Sequence, residues 1–482
     1  MKPKSYIIFI SLITLQFSCK KLVEIDPPRT SLTAKAIFSS NETSIAAVTQ
    51  LYAIAAASDL RQADLLGLST FPGMSSDEFF VFGQNSNYLD YNRNTLSAIK
   101  TTVAANQFWN LFYKTYIYNC NRIIEGLNVQ KTSDEDPTSK LNLKVKKQLL
   151  GEAHFIRALS YFYLVQMYGD VPLLISTDYI LNSTFSRTKK DQVYSQIIDD
   201  LKVAEVNLSD TYLQSDLVTI GESRVRPIKW AAKSLLSRVF LYTENNFEAE
   251  KKAKEVINNI ALYELTSLDD IFLSNSKEAI WQLQPVINGR NSQEAWVLSL
   301  PPNGPDANNY PFYLNPEILN AFEPGDYRKT SWIRSRTIGG VTYNYPYKYK
   351  SALLNDPVIE YSTLFRLAEQ YLICAEALAK ENKIEEAKEM LNAIRKRAGL
   401  GNTPAMNKDE LLEAIIAERR VELFSEFGHR WFDLKRLGKV DEVMKLATPL
   451  KGGTGWESYQ AYYPIMPTQL ELNRNVSQTI GY

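Results

Sequence analysis

Residues 230–257 read WAAKSLLSRVFLYTENNFEAEKKAKEVI, and residues 368–394 read AEQYLICAEALAKENKIEEAKEMLNAI. Each begins with a helical pattern that has small residues on one face. Each then turns at Glu-Asn (Glu244-Asn245, Glu381-Asn382), places a large apolar residue (Phe247, Ile384) and enters a second helix with Ala. This is the layout of a tetratricopeptide-type helix pair, although the match slips by one residue at the Ala. Such a pair leaves an apolar face that only a stacked neighbour buries. The expected fold is mainly α, built from tetratricopeptide-like helix pairs.

Outward from the two segments, the 3.6-residue apolar period predicts helices at about 41–58, 106–128, 144–168, 189–207, 227–243 and 246–260. Further helices are predicted at 360–380, 383–398 and 408–437. Gly169-Asp170-Val171-Pro172 stops the 144–168 helix. The stretch 59–100 has no sustained period and reads as a long loop, a kind usually kept for function. Between about 265 and 355, Pro, Gly, Asn and Tyr cluster, which predicts turns and short strands. The expected organisation is a single domain over 34–482. Its helical blocks run over about 41–265 and 360–440, its irregular insertion over about 265–355, and its irregular tail over about 450–482.

The N-terminus, MKPKSYIIFISLITLQFSC, places Lys2 and Lys4 before an apolar run and Ser18 before Cys19. This reads as a signal peptide over 1–18, with a run too short to span a bilayer. A cysteine at the cleavage point points to lipidation of Cys19. Residues 19–33, with Pro27-Pro28, read as an extended tether. Export separates the protein from ATP and NAD, so no such cofactor is expected. The chain has 54 Lys and Arg against 54 Asp and Glu, and without Lys2 and Lys4 the balance is 52 to 54. That balance argues against nucleic acid as a partner.

Catalytic signals are weak. In ERRVELFSEFGHRWFDLKRLG (418–438), Glu418, Glu422 and Glu426 share one helix face, interleaved with arginines. Such carboxylates form ion pairs that fix helix packing more readily than they form an acid/base pair. The two histidines, His154 and His429, sit among apolar or charged neighbours without a nucleophile nearby in sequence. Cys120 and Cys374 read as buried free thiols rather than a bridge. No His/Cys/Asp/Glu group has zinc spacing, so no metal is expected. No glycine-rich run precedes a helix with Lys-Ser/Thr, so no phosphate loop is expected either. The reading is a protein that is not an enzyme.

Binding signals are stronger. The chain holds 28 Tyr, 21 Phe and 7 Trp, a surplus that fits an aromatic binding surface, although a helical core rich in Tyr and Phe accounts for most of them. Residues 77–91 (DEFFVFGQNSNYLDY) and 296–313 (WVLSLPPNGPDANNYPFY) set aromatics among Asp, Asn and Gln. Flat rings suit the C–H faces of sugars, and amides and carboxylates suit the hydroxyls. The candidate ligand residues are Asp77, Phe80, Phe82, Tyr88 and Tyr91 in the first segment. Arg290, Trp296, Asn308, Asn309, Tyr310 and Tyr313 are those of the second, taken over 286–313. The hypothesis requires segments more than two hundred residues apart to meet on one surface.

In order along the chain come KKLVEIDPP (20–28), FWNLFYKTYIYNCNRIIEG (108–126) and GEAHFIRALSYFYLVQMYGDVPLL (151–174). RPIKWAAKSLLSRVFLY (226–242), YSTLFRLAEQYLICAEAL (361–378), NAIRKRAGL (392–400), the 418–438 segment and YYPIMPTQLELNRNVSQTIGY (462–482) follow. Together these resemble the SusD/RagB family of Bacteroidetes surface lipoproteins. The resemblance implies a lipid-anchored outer-membrane protein. Its helix pairs would pack against a SusC-like TonB-dependent barrel, and its opposite face would capture a nutrient. That nutrient would be an oligosaccharide, or a peptide as in some members. A helical-repeat interaction scaffold without a small ligand is the alternative from another class.

Overall fold

The computed structural model describes residues 34–99 and 103–482. The leader, Cys19 and the tether lie outside the described residues. Ten helices carry the argument. They are α1 (Asn41–Ala56), α2 (Tyr118–Asn128), α3 (Leu143–Tyr168), α4 (Lys190–Asn207) and α5 (Lys229–Tyr242), then α6 (Asn246–Ile257), α7 (Leu367–Lys380), α8 (Ile384–Arg397), α9 (Lys408–Glu422) and α10 (His429–Arg436). Local chemistry marks their ends. Ser40 caps α1, Asn142 caps α3 and Asn407 caps α9, each side chain accepting from a backbone N–H of the first turn. Gly169, at φ 72°, ends α3.

The helices stack in chain order. α3 packs on α2 and α4, α4 on α5, α5 on α6, α6 on α7, and α7 on α8 and α9. The α6–α7 contact spans an excursion of the chain from 258 to 366. The two halves of the repeat thus meet directly, and the Arg238 guanidinium of α5 donates two buried hydrogen bonds, both of 2.7 Å, to the Glu369 carboxylate of α7.

The structure also removes the one-residue slip. After α5 the left-handed residue is Glu244 (φ 60°), and after α7 it is Asn382 (φ 64°). Aligned on this turn, α6 and α8 start at equivalent positions, and Ala249 matches Ala387, both fully buried. The shared Glu-Asn pair misled the alignment. Phe247, matched to Ile384 in the sequence, is 61% exposed.

Three predicted elements differ. The supposed loop over 59–100 contains a 3₁₀ turn (Leu66–Ser69), a short helix (Phe71–Ser75), the strand β1 (Phe79–Val81) and a second helix (Ser86–Asn92). Residues 65–79 are buried throughout. Elements packed on all sides show no apolar period. The predicted 360–380 helix begins as a strand, and the predicted 408–437 helix breaks between α9 and α10. In that break Ser425, Phe427 and Gly428 take positive φ of 56°, 40° and 73°. A helix over Val440–Leu450 also lies where none was predicted.

The remaining strands are β2 (Ala279–Leu283), β3 (Phe312–Leu314), β4 (Ile333–Ile338), β5 (Val341–Pro346) and β6 (Ser362–Arg366). They form three antiparallel pairs, β1–β3, β2–β6 and β4–β5. The mainly α class with a strand-bearing insertion therefore holds.

The turn after α9 is where the molecule buries its charge. Arg366, at the end of β6, donates to Glu426 Oε2 (2.8 Å), Glu422 Oε1 (2.6 Å), Glu278 Oε1 (3.1 Å) and the Glu422 carbonyl (2.7 Å). Arg328 reaches Glu422 Oε2 at 2.8 Å and Glu418 Oε1 at 2.7 Å. Arg397 also bridges Glu278 and Glu422. Lys348 Nζ donates to the carbonyls of Glu422 and Phe424 and to Glu426. A second knot joins Asp433 to Arg419 and Arg436, and Arg436 to Glu376. Burial alone would raise the Glu422 carboxyl, but Arg397, Arg366 and Arg328 hold it well below the usual range.

The histidines and thiols are structural too. His154 Nδ1 sits 2.7 Å from Asp200, which also binds Arg157. Burial pushes His429 down to about 4. Cys120 and Cys374 are both free and buried.

Removing one partner from such a knot leaves an opposite charge buried and unpaired. Glu422→Gln or Asp433→Asn should each destabilise the fold by roughly 3–5 kcal/mol, read from urea unfolding midpoints. A change within experimental error for both would show that the pairs are dispensable.

Candidate functional site

The two candidate segments meet as paired strands. β1 and β3 run antiparallel with Phe79 opposite Leu314, Phe80 opposite Tyr313 and Val81 opposite Phe312. Side chains alternate across a strand. Phe79, Phe312 and Leu314 therefore point inward and are fully buried. Phe80, Phe82 and Tyr313 face the other way.

β5 supplies the next ring. The centroid of Tyr343 lies 5.1 Å from that of Tyr313 and 5.9 Å from that of Phe82, and Phe80 lies 5.8 Å from Tyr313, all edge to face. The four rings form a continuous row. Phe80, Tyr313 and Tyr343 are half-buried, and Phe82 is exposed.

A polar rim borders the row. Phe82 N donates to the Pro311 carbonyl at 2.8 Å. Gly83 packs so tightly on Ala307 that an added Cβ would come 2.5 Å from the Ala307 Cβ. Asp306 Oδ1 accepts from the backbone N–H of Asn308 (2.9 Å) and Asn309 (2.7 Å) and fixes their turn. Both asparagine side chains are exposed, and Tyr310 beside them is half-buried. Asn309 Oδ1 accepts from Arg61 at 3.4 Å, while Asp59 chelates the same guanidinium at 2.6–3.2 Å.

Five candidates take no part in this row or its rim. Tyr88 and Tyr91 sit in the core against Phe71, with Tyr88 also on Phe312 and Tyr91 on Tyr463. Both lie on the Ser86–Asn92 helix, whose buried face points under the strands. Asp77 is buried between Arg430 (2.7 Å) and Arg420 (2.9 Å). Burial would raise its carboxyl, but Arg430 and Arg420 hold it at about 2. Arg290 and Trp296 pair with each other, the guanidinium carbon 4.0 Å from the indole centroid.

Reasoning from sequence missed Tyr343 and Arg61. Tyr343 belongs to GGVTYNYPYKYK, whose dense tyrosines were read only as turn and strand signals. Arg61 lies in the 59–100 stretch, whose missing period marks it as a long loop usually kept for function without singling out this arginine.

The strands behind the row are fastened to the turn after α9. Asn315 N donates to the Glu78 carbonyl, and Asn315 Nδ2 to the Asp77 carbonyl. Glu78 Oε1 accepts from Ser425 N. Lys348 holds the exit of β5 against the same turn. The site thus combines exposed rings with adaptable amides on a rigid base, without a carboxylate pair open to solvent among the residues described in it.

Two family models cover most of the chain. The SusD family matches residues 334–482, and "starch-binding associating with outer membrane" matches residues 33–241. The chain belongs to the SusD/RagB family. It is 26% identical to SusD-like protein P25 of Formosa agariphila, over 98% of this chain and 97% of that protein. It is 36% identical to the starch-binding protein SusD of Bacteroides thetaiotaomicron, over 25% of this chain and 21% of that one. A SusD superfamily structure from Bacteroides vulgatus superposes with a TM-score of 0.75 at 20% identity, covering 92% of this chain and all (100%) of that one. A laminarin-binding SusD-like protein superposes with a TM-score of 0.72 at 23% identity, covering 92% and 100%. These structures share the family's fold. Among the described residues, no helix is long and apolar enough to cross a membrane.

One carboxyl of the insertion makes the scaffold pH-sensitive. Glu294 lies on the short helix that carries Trp296 and accepts from Ser362 Oγ at 2.6 Å. Burial pushes it up from 4.5 to about 7. A raised folded pKa gives stability that is complete below 4.5 and lost as pH rises through about 7. Melting curves from about pH 5 to pH 8 should therefore fall less steeply for Glu294→Gln than for the parent chain. An unchanged slope would remove Glu294 from the account.

Proposed function

We propose that this chain is a non-catalytic surface protein that captures an oligosaccharide and hands it to a SusC-like TonB-dependent barrel in the outer membrane. The observation that carries this reading is the row Phe80, Phe82, Tyr313 and Tyr343, assembled from three distant parts of the chain and left open to solvent. Sugar faces stack on such rings, and the amides of Asn308 and Asn309 suit hydroxyls at the rim. The names of the relatives, one starch-binding and one laminarin-binding, support the same ligand class.

The carboxylates at 418–433 are locked by arginines inside the molecule, which supports capture without hydrolysis. The helix stack, on this reading, is the part that meets the barrel. Cys19 holds the protein to the membrane through its lipid, since multiple acyl chains anchor far more firmly than one.

Two experiments test the reading. Truncating Tyr313 or Tyr343 to Ala should weaken binding of a glycan ligand by roughly 1–3 kcal/mol, or about 5- to 150-fold, by analogy with stacking on aromatic platforms. Calorimetry reads this directly, and unchanged affinity in both variants would dismiss the row as the binding surface. Cys19→Ala should move the protein from the membrane fraction to the soluble one. A variant that stays with membranes after a salt wash would count against the lipid anchor.

A further inference from the structure

The β4–β5 hairpin sets positive charge beside the aromatic row. In its register Arg336 stands opposite Tyr343, and Arg334 opposite Tyr345. Directly opposed residues share one face of the ladder, with Cβ atoms about 5 Å apart. Tyr343 is the ring that joins Phe82 to Tyr313. The two arginines therefore continue the row along the hairpin.

Their chemistry differs from that of the carboxylate-paired arginines described above. Arg328, Arg366, Arg397, Arg419 and Arg436 are each neutralised by carboxylates. At the surface Arg61 is held by Asp59. By contrast, the acceptors that Arg334 and Arg336 reach are backbone carbonyls. Arg336 Nε donates to Leu300 at 3.3 Å, and Arg334 Nη1 to Thr330 and Ile333. Neither forms an ion pair among the described residues. The carboxylates on the rim are already occupied, Asp59 by Arg61 and Asp306 Oδ1 by two backbone N–H groups.

Rings steady both guanidiniums. Arg334 lies 4.8 Å from the Tyr347 centroid, and Arg336 lies 6.0 Å from that of Tyr345. Stacking engages the flat face of a guanidinium, and the carbonyls take only Nη1 of Arg334 and Nε of Arg336, which leaves the other N–H groups of each fork for a ligand. Those groups match the paired oxygens of a carboxylate or a sulfate. Arg336 is half-buried and Arg334 exposed, so both can be reached from solvent.

We propose that the captured glycan is anionic, and that Arg336 and Arg334 bind its carboxylate or sulfate groups while the aromatic row holds its sugar faces. The proposal rests on the glycan-capture reading and narrows it to one substrate class. Uronic acids and sulfate esters present the same charge to the hairpin.

The purified chain should be titrated with polygalacturonate and alginate for the carboxylate source, carrageenan for the sulfate source, and laminarin as the neutral probe. At least one acidic polymer should bind more tightly than laminarin, and its affinity should fall steeply between 20 mM and 500 mM NaCl. Arg336→Gln should weaken that binding about tenfold or more, and Arg334→Gln should weaken it in the same direction. Arg336→Lys should recover part of the loss, and circular dichroism should show unchanged melting in all three. If laminarin binds as well as the acidic polymers and the arginine variants leave every affinity unchanged, the charge proposal fails while glycan capture stands. If a polyglutamate peptide binds and no polysaccharide does, both fail.

Discussion

Arg366 is buried against Glu278, Glu422 and Glu426, and much of the molecule is arranged to make that possible. A buried guanidinium must be surrounded by acceptors, because an unpaired charge in the interior costs several kcal/mol. Those acceptors come from separated parts of the chain. Glu278 precedes β2, Glu422 ends α9, and Glu426 lies in the turn beyond it. The turn must bend sharply to aim the Glu422 carbonyl at Arg366 and the Glu422 and Phe424 carbonyls at Lys348. The positive φ values at Ser425, Phe427 and Gly428 are the backbone form of this demand. At Gly428 a side chain would also come 2.8 Å from Pro72 and Phe432.

The candidate surface inherits its geometry from that turn. Lys348 follows β5, so its anchorage places Tyr343. Glu78 and Asp77 precede β1, and they bind Ser425, Arg420 and Arg430. Asn315 follows β3 and closes on Asp77 and Glu78. The three strands that contribute the rings are thus fixed to one charged support. Such a surface needs little ordering when a ligand arrives, which favours affinity without adding contacts. The candidate residues themselves lie on short strands and turns, where substitution disturbs few core contacts.

The helix pairs were legible because their apolar period is long and their turns have local chemistry. The small faces of α5 and α7 and the alanines of α6 and α8 showed the pairing, and only the Glu-Asn register misled by one residue. The carboxylates at 418–433 were legible as structural because arginines alternate with them. Their partners were not, since Glu278, Arg328, Lys348 and Arg366 are distant in sequence. Segment 59–100 was misread because short elements buried on every side carry no periodic signature. For the candidate site, aromatic and amide composition pointed to two segments that the fold brings together as paired strands. It could not say which rings point outward, so Tyr88, Tyr91 and Asp77 were included and Tyr343 was missed.

Taken alone, the sequence determined the fold class and the helix pairing. These follow from local rules: period, capping and spacing. The tertiary structure decided which residues face solvent. Burial depends on what packs against each face, and here the deciding neighbours are far away along the chain. Phe80 and Tyr88 are eight residues apart in the same aromatic stretch. β3 pairs with the strand of the first and leaves its ring outside, while Phe71 and Phe312 close over the second. No local rule separates the two, because the separation is made by long-range pairing.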